Sequence, residues 1–308
     1  MVADLREDRI SHIKSTYPHI EVTKDYQDLF KQNLDAVVIA TPPVTHYQFA
    51  KVCLEHKLHV LVEKPITIKS QDAEELIELA EASNLILMVG HTFEYNTAVH
   101  TLKKIIDSGE LGQIYYVDTA RLNLGLFQRD LNVLWDLAPH DISIIQYILG
   151  KRPISLSAHG MPCVFRGIHD VVYIDMVYPD NILAHIHVSW LDPCKVRRTT
   201  VVGSKKMVVY NDIENAEKIK IYDKGVDKPP YTDSYADFQF SYRYGDVVIP
   251  NIRFTEPLRQ ECMHFLECIE NHTQPQSSGR IGLDVVKILE TAQISLNQNG
   301  DNQEVLRW

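Results

Sequence analysis

Apolar residues in the first third of the chain come in short unbroken runs separated by amphipathic stretches. Asp35-Ala-Val-Val-Ile-Ala-Thr41 stops at Pro42-Pro43, and His59-Val-Leu-Val-Glu63 and Leu85-Ile-Leu-Met-Val89 have the same form. Such runs, apolar without alternation, mark strands buried on both faces of a parallel sheet. Between them Tyr47 to His56 and Ser70 to Ser83 read as helices. In the second, Ala73, Leu76, Ile77 and Ala80 fall at helical spacing, with Ser70 available as the N-cap. Alternation of strand and helix predicts a right-handed, doubly wound parallel sheet.

Past residue 95 the period changes. Asn96 to Asp107 reads as a helix and Gly112 to Leu122 as extended. Val171-Val-Tyr-Ile-Asp-Met-Val177 and Ile182-Leu-Ala-His-Ile-His-Val188 alternate with period two and lie close in sequence, so an antiparallel sheet is expected between Ile154 and Tyr222. Asp223 to Asn251, rich in Tyr, Asp, Pro and Gly, reads as a long loop. Two helices close the chain: Glu256 to Glu270, with Leu258, Cys262, Leu266 and Ile269 on one face, and Leu283 to Leu296. The expected fold class is α/β. A Rossmann-type parallel sheet over residues 1–93 is followed by an α+β domain with a large open-faced antiparallel sheet over 94–308, and the last helices are expected to pack back on the first domain.

Charge and composition narrow the partners. The net charge of −10 opposes a nucleic-acid surface, which is basic, and favours a small molecule. No apolar run approaches the roughly 20 residues a membrane helix needs, and the charged start Met1-Val-Ala-Asp-Leu-Arg-Glu-Asp-Arg9 does not read as a secretory signal. Five scattered cysteines form no Cys-x-x-Cys pair, so reduced cytoplasm is the expected location. His185 and His187 share one side of a strand without an evident third ligand, so no metal site is expected.

A dinucleotide-binding sheet opens with a strand, a Gly-x-Gly-x-x-Gly turn and a helix whose N-terminus receives the pyrophosphate. Here the first glycine is Gly90. Val2-Ala3-Asp4 reads as the end of the second such strand, where an acid takes the adenosine ribose, about 20 residues after the glycine motif. The chain is therefore expected to lack the first strand and its turn, and to be inactive or nearly so as it stands. Asp4 favours NAD, since a carboxylate repels a 2′-phosphate, with NADP left open by Arg6 and Arg9 nearby.

Three motifs occur in order: Thr41-Pro42-Pro43-Val-Thr-His46, Glu63-Lys64-Pro65, and Trp135-Asp136-Leu-Ala-Pro-His140-Asp141. Together they resemble the glucose–fructose oxidoreductase / inositol dehydrogenase family (Gfo/Idh/MocA). The resemblance implies an NAD(P)-dependent hydride transfer on a sugar. The stretch Gly125 to His140 looks most like members acting on nucleotide-linked sugars. Lys64, at a carboxyl edge where ligands bind, is suited to be the base for the hydroxyl proton, because a buried ammonium titrates lower than usual. Asp136 and His140 share a helix face. Pro139 is expected in that helix's first turn, where His140 can relay a proton and Asp136 can hold substrate or imidazole. The principal base, Lys64 or His140, is left open.

Cofactor contacts are expected from Asp4, Thr41, Pro42, His46, Glu63, Lys64, Pro65 and His91. Substrate contacts are expected from Tyr95, Asn96, Arg121, Arg129, Asn132 and Trp135, with arginine suited to phosphate. Relatives carry an arginine near Glu94 that this chain lacks. Rival readings are an inositol or polyol dehydrogenase and a non-catalytic ligand sensor or scaffold on the same fold. Large side chains on both faces of the second-domain sheet, with Tyr173, Tyr178 and Trp190 assigned to the outward set, predict a homodimer or homotetramer built through the open face.

Overall fold

In this computed structural model the described residues are 1–128, 131–227 and 241–306. The apolar runs form parallel strands with helical crossovers. β1 (Val2–Ala3) and β2 (Val22–Thr23) pair in parallel around α1 (Glu7–Thr16). β3 (Ala36–Ile39), β4 (His59–Glu63) and β5 (Leu87–Gly90) pair in parallel, joined by α2 (His46–Glu55) and α3 (Ser70–Ala82). Val60, Val62, Met88 and Val89 are fully buried, as strands covered on both faces require.

Among the described residues the two parallel sheets are separate: β1 pairs only with β2, and β3 only with β4. Val38, in the middle of β3, is 59% exposed, which is anomalous for a parallel strand. Rings tie the halves together away from the strands, Tyr26 against Phe49 at 4.9 Å and Phe30 stacked on His56 at 4.0 Å.

After α4 (Thr97–Asp107) comes the second domain's nine-stranded sheet. Its strands are β6 (Ile114–Leu122), β7 (Ser155–Met161), β8 (Val171–Tyr178), β9 (Ile182–Ser189), β10 (Val196–Gly203), β11 (Met207–Asn211), β12 (Ile219–Asp227), β13 (Ser241–Val248) and β14 (Gln303–Glu304). The order is β13-β12-β11-β10-β6-β9-β8-β7-β14. The sheet is mixed, not wholly antiparallel as expected: β6 and β9 run parallel, from Tyr116↔Leu183 to Leu122↔Ser189. Helix α5 (Val133–Leu149) lies on the route between them, and a parallel pair needs such a crossover.

Period two also fails to say which face is buried. In β8 Val172, Ile174, Met176 and Tyr178 lie under helices while Tyr173 and Val177 are exposed, and Trp190 is only 1% exposed. The outward assignment of Tyr178 and Trp190 is thus corrected. Asp223 to Asn251 is not simply a loop: β12 and β13 pair across it from Ile221↔Val248 to Asp227↔Ser241, and residues 228–240 lie outside the described residues. With both faces of β13 largely in solvent, no alternation announces it.

Helices α6 (Pro257–Asn271) and α7 (Gly279–Asn297) finish the molecule. The predicted apolar stripe of α6 points mostly outward. Glu261, Phe265 and Cys268 are its buried residues, Phe265 and Cys268 packing with Leu61, Ile86 and Met88 of the parallel sheet, while Leu258 and Leu266 stay exposed. Helix α7 packs against α3 and β5 on one side and α5 and β7 on the other. The Val89 amide donates to the Ser277 carbonyl at 2.8 Å. Ser70 is the first residue of α3, not its cap; its amide donates to the Glu290 carboxylate on α7 at 3.2 Å.

Candidate active site

The carboxyl ends of β3, β4 and β5 carry Thr41-Pro42, Glu63-Lys64-Pro65 and Gly90-His91 side by side, because the strands are parallel and in register, Glu63 opposite Gly90. A Cβ on Gly90 would lie 3.0 Å from Glu63 Oε2, so glycine is what admits the glutamate there. Glu63 Oε2 accepts from the Lys64 amide at 3.3 Å, and the Lys64–Pro65 peptide is cis. His46 is fully buried. Its Nδ1 lies 2.8 Å from the Pro65 carbonyl oxygen and its Nε2 2.8 Å from that of Thr41. It therefore ties two strand ends together, and its expected direct contact with a ligand is corrected to positioning. Thr45 Oγ1 donates to Pro42 O at 2.7 Å, closing that turn.

Helix α5 brings the third motif over these ends. Asn132 caps it, accepting from Trp135 N at 3.3 Å. Pro139 is the seventh residue of α5, in its second turn and not its first, so the Trp135 carbonyl loses its usual N–H partner. One residue on, the Asp136 carbonyl accepts from Lys64 Nζ at 2.7 Å. Lys64 Nζ is 3.7 Å from Asp136 Oδ1, and Asp136 Oδ2 accepts from the Trp190 indole at 2.9 Å. Lys64 and Trp190 thus hold Asp136; of the two roles expected for it, holding substrate or imidazole, the tie to the His140 imidazole is not made among the described residues.

Electrostatics follow from burial. Loss of solvent pulls the Lys64 ammonium below the usual lysine range against the attraction of Asp136 and Glu63, and Arg121 adds to the fall. His140 is pushed well below the usual imidazole range by burial first, then by the charges of Lys64 and Arg121. Burial takes His91 down to about 3, helped by Lys64. Both histidines are therefore neutral near pH 7. His91 Nδ1 and Nε2 and His140 Nδ1 are buried without a partner among the described residues, and each such atom costs about 1–3 kcal/mol unless a ligand meets it. Phe93 lies edge-on to His140 at 5.3 Å, with the Arg121 guanidinium 4.5 Å over its ring.

Several expected ligand contacts prove structural. Arg121 is buried in an ion pair with Asp141, Nε to Oδ2 at 2.7 Å, and is no surface salt bridge. Tyr95 is buried behind β5, its hydroxyl 2.9 Å from Ser277 Oγ. Asn96 caps α4 through the Ala98 amide at 2.8 Å. The amide of Asn132 and the indole of Trp135 both donate to Gln293 on α7, at 2.8 and 3.3 Å. Short polar side chains before a helix cap it first, and large rings under a helix pack first. Arg129 lies outside the described residues. Asp4 directly follows β1, its Oδ1 accepting from the Arg6 amide at 2.8 Å.

The sequence reading missed four groups near these residues. Trp190 reaches Asp136 from the end of β9, and Arg197 on β10 presents charge toward His140. Glu94, bonded by the Ser143 hydroxyl at 2.8 Å, is raised to about 8 by burial, and Glu261 to about 7. Asp141, adjacent to His140, was the one sequence signal for a counter-ion to Arg121. His185 and His187 flank Tyr173 on the open face, with His185 Nδ1 2.7 Å from Asp175. Among the described residues no three His, Cys, Asp or Glu side chains gather as for a metal, and no helix is long and apolar enough to cross a membrane.

The two parts of the chain each match a family model. Residues 2–91 match the family described as "Oxidoreductase family, NAD-binding Rossmann fold", and 99–209 match "GFO/IDH/MocA C-terminal domain". The UDP-N-acetylglucosamine 3-dehydrogenase of Acidithiobacillus ferrooxidans is 30% identical over 138 residues, 44% of this chain and 43% of that protein. The scyllo-inositol 2-dehydrogenase (NAD(+)) of Bacillus subtilis is 25% identical over 261 residues, covering 81% of this chain and 72% of that protein. The solved structure of the Acidithiobacillus enzyme superposes with a TM-score of 0.78 at 21% identity, covering 96% of this chain and 89% of the other, which shows a shared fold.

Proposed function

Because this chain belongs to the NAD-binding oxidoreductase family with the GFO/IDH/MocA C-terminal domain, we propose that it transfers a hydride between nicotinamide and a ring hydroxyl of a sugar or nucleotide-linked sugar. The observation that carries the reading is the meeting of Lys64 with Asp136 and neutral His140 at the carboxyl ends of β3 to β5. Nicotinamide supplies the hydride acceptor; Lys64 and His140 handle the hydroxyl proton. Lys64 has a carboxylate and a carbonyl beside it and, through burial, a lowered affinity for its proton, so it gives that proton up more readily than a solvated lysine does. His140, kept neutral, accepts a hydrogen bond from the sugar or passes its proton on. The orphaned nitrogens of His91 fit a carboxamide at the nicotinamide end, and Thr41, Pro42, Glu63 and Pro65 shape the floor. Asp4 is read as the ribose contact.

The pyrophosphate end fits less well. No glycine precedes Gly90, and the unpaired edges of β1 and β3 offer the place of a further parallel strand with its phosphate-binding turn. We read that strand as required for tight NAD(H) binding, and we read the open face of the nine-stranded sheet as an interface between copies of the chain.

Two measurements test this. These 308 residues are expected to bind NADH weakly, by fluorescence titration; tight binding sinks the need for a further strand. In the chain that binds NADH, Lys64→Ala and His140→Ala each lower kcat with sugar nucleotides by roughly 10²-fold. Full turnover of either variant from pH 6 to 9 removes that residue from the chemistry.

A further inference from the structure

Trp190 stands immediately after β9 in the second domain, yet its indole ends at the α5 motif. The residue is 1% exposed, and its backbone is held on both sides: its amide donates to the Asp170 carbonyl at 2.9 Å, and its carbonyl accepts from the Gly125 amide at 2.8 Å. A Cβ on Gly125 would lie 2.8 Å from the indole Cδ1, so the ring is clamped as well, with Phe127 packed against it at 5.6 Å between centroids. The fixed Nε1–H donates to Asp136 Oδ2 at 2.9 Å.

That bond decides what Lys64 meets. With Oδ2 committed to the indole, Oδ1 stays 3.7 Å from Nζ, outside the roughly 2.7–2.9 Å of a charge-assisted contact. The short contact of the ammonium, 2.7 Å, goes instead to the Asp136 carbonyl, a neutral acceptor. A neutral carbonyl stabilises an ammonium less than a contact carboxylate does. The other titratable groups facing Lys64 are Glu63 on β4, Arg121 on β6, His91 after β5 and His140 on α5; among them only Glu63 adds attraction.

We propose that Trp190 is a positioning residue for Lys64: its indole N–H holds Asp136 Oδ2 and keeps the carboxylate short of direct contact with the ammonium, so that Lys64 keeps a proton it can surrender. This rests on Lys64 as the proton-handling group of the proposed reaction, and it gives the second domain a direct hand in the first domain's chemistry. Without the indole, the carboxylate is free to rotate onto Nζ and close the ion pair.

The test reads Lys64 itself, independent of turnover. The pH midpoint of its acylation by trace acetic anhydride is followed by peptide mass spectrometry. Trp190→Phe is expected to move the midpoint up by about one pH unit, and Asp136→Asn to move it down. A folded Trp190→Phe protein with an unchanged Lys64 midpoint overturns the proposal. If Trp190→Phe does not fold, the native protein still decides. Its Trp190 indole N–H resonance, one of three tryptophans, should shift with pH at the Lys64 midpoint and lose that step in Asp136→Asn; a pH-insensitive indole overturns the idea. A shifted midpoint in Trp190→Phe beside full turnover of Lys64→Ala would leave the positioning intact and sink the catalytic reading instead.

Discussion

Glu94 and Glu261 bring two carboxyl groups into the layer between α5, α6 and the turn after β5, and burial raises them to about 8 and about 7. Each binds its proton more tightly folded than unfolded, where the ordinary value is near 4.5. The stability this gives is complete below that value and is lost as pH rises through 7 to 8. The histidines work in the other direction. His91 at about 3 contributes stability that is present above its ordinary value of 6.5 and disappears as pH falls toward 3. Glu94→Gln keeps the shape and the Ser143 bond without the ionisation. It should melt with the parent near pH 5 and several degrees higher at pH 9, at about 2–4 °C per kcal/mol for a chain this size. Equal melting at pH 9 by calorimetry would mean the carboxyl ionises without cost. At this scale the sequence misleads in a consistent way. Lys64, Asp136 and His140 are recognisable from their motifs, whereas Asn96, Asn132 and Tyr95 look like ligand contacts and prove to be caps and packing. A polar residue's partner is set by its neighbours in space, and a nearby unsatisfied backbone amide outbids a distant substrate.

Helix α7 shows how one element joins the two sheets. Gly279 sits against Leu87 and Ile77, and a Cβ on Gly282 would lie 2.7 Å from a Val89 methyl and 3.1 Å from Ile66. Alanine in a helix interior gains about 1 kcal/mol over glycine, but overpacking a full core costs about 1–3 kcal/mol. Overpacking wins, because the contacted methyls belong to buried residues with no room to retreat. Gly282→Ala is therefore expected to lose up to about 2 kcal/mol in urea unfolding, and a stabilised variant would show that α7 can slide off β5. The strands β3 and β4 and helices α2 to α4 match their sequence pattern within a residue or so, since a 3.6 or unbroken period is a local property. The buried face of α6 is not local. Its more apolar stripe holds Leu258 and Leu266, yet the sheet takes Phe265 and Cys268.

At the scale of the whole molecule, one side of the nine-stranded sheet carries several exposed large apolar side chains. Tyr116, Tyr173, Val177 and Leu183 are all exposed on β6, β8 and β9, and an apolar patch of this kind marks an interaction surface. Tyr173→Asp with Val177→Asp should convert a dimer or tetramer to monomers in light scattering at micromolar concentration, leaving the melting of the monomer close to the parent's. A parent that is already a clean monomer would refute the interface. Placing the charges at Val172 and Ile174 would instead destroy the core, since both are fully buried. Residue order alone determined the parallel strands, their helices, the two motifs at strand ends, the third on its helix and the absence of a glycine turn, because each is written in near neighbours along the chain. Which face of an alternating strand turns inward, which direction β6 runs beside β9, and that Trp190 closes on Asp136 depend on residues 50 or more positions apart. A period of two is symmetric between its faces, and only packing against α5 and α7 breaks that symmetry.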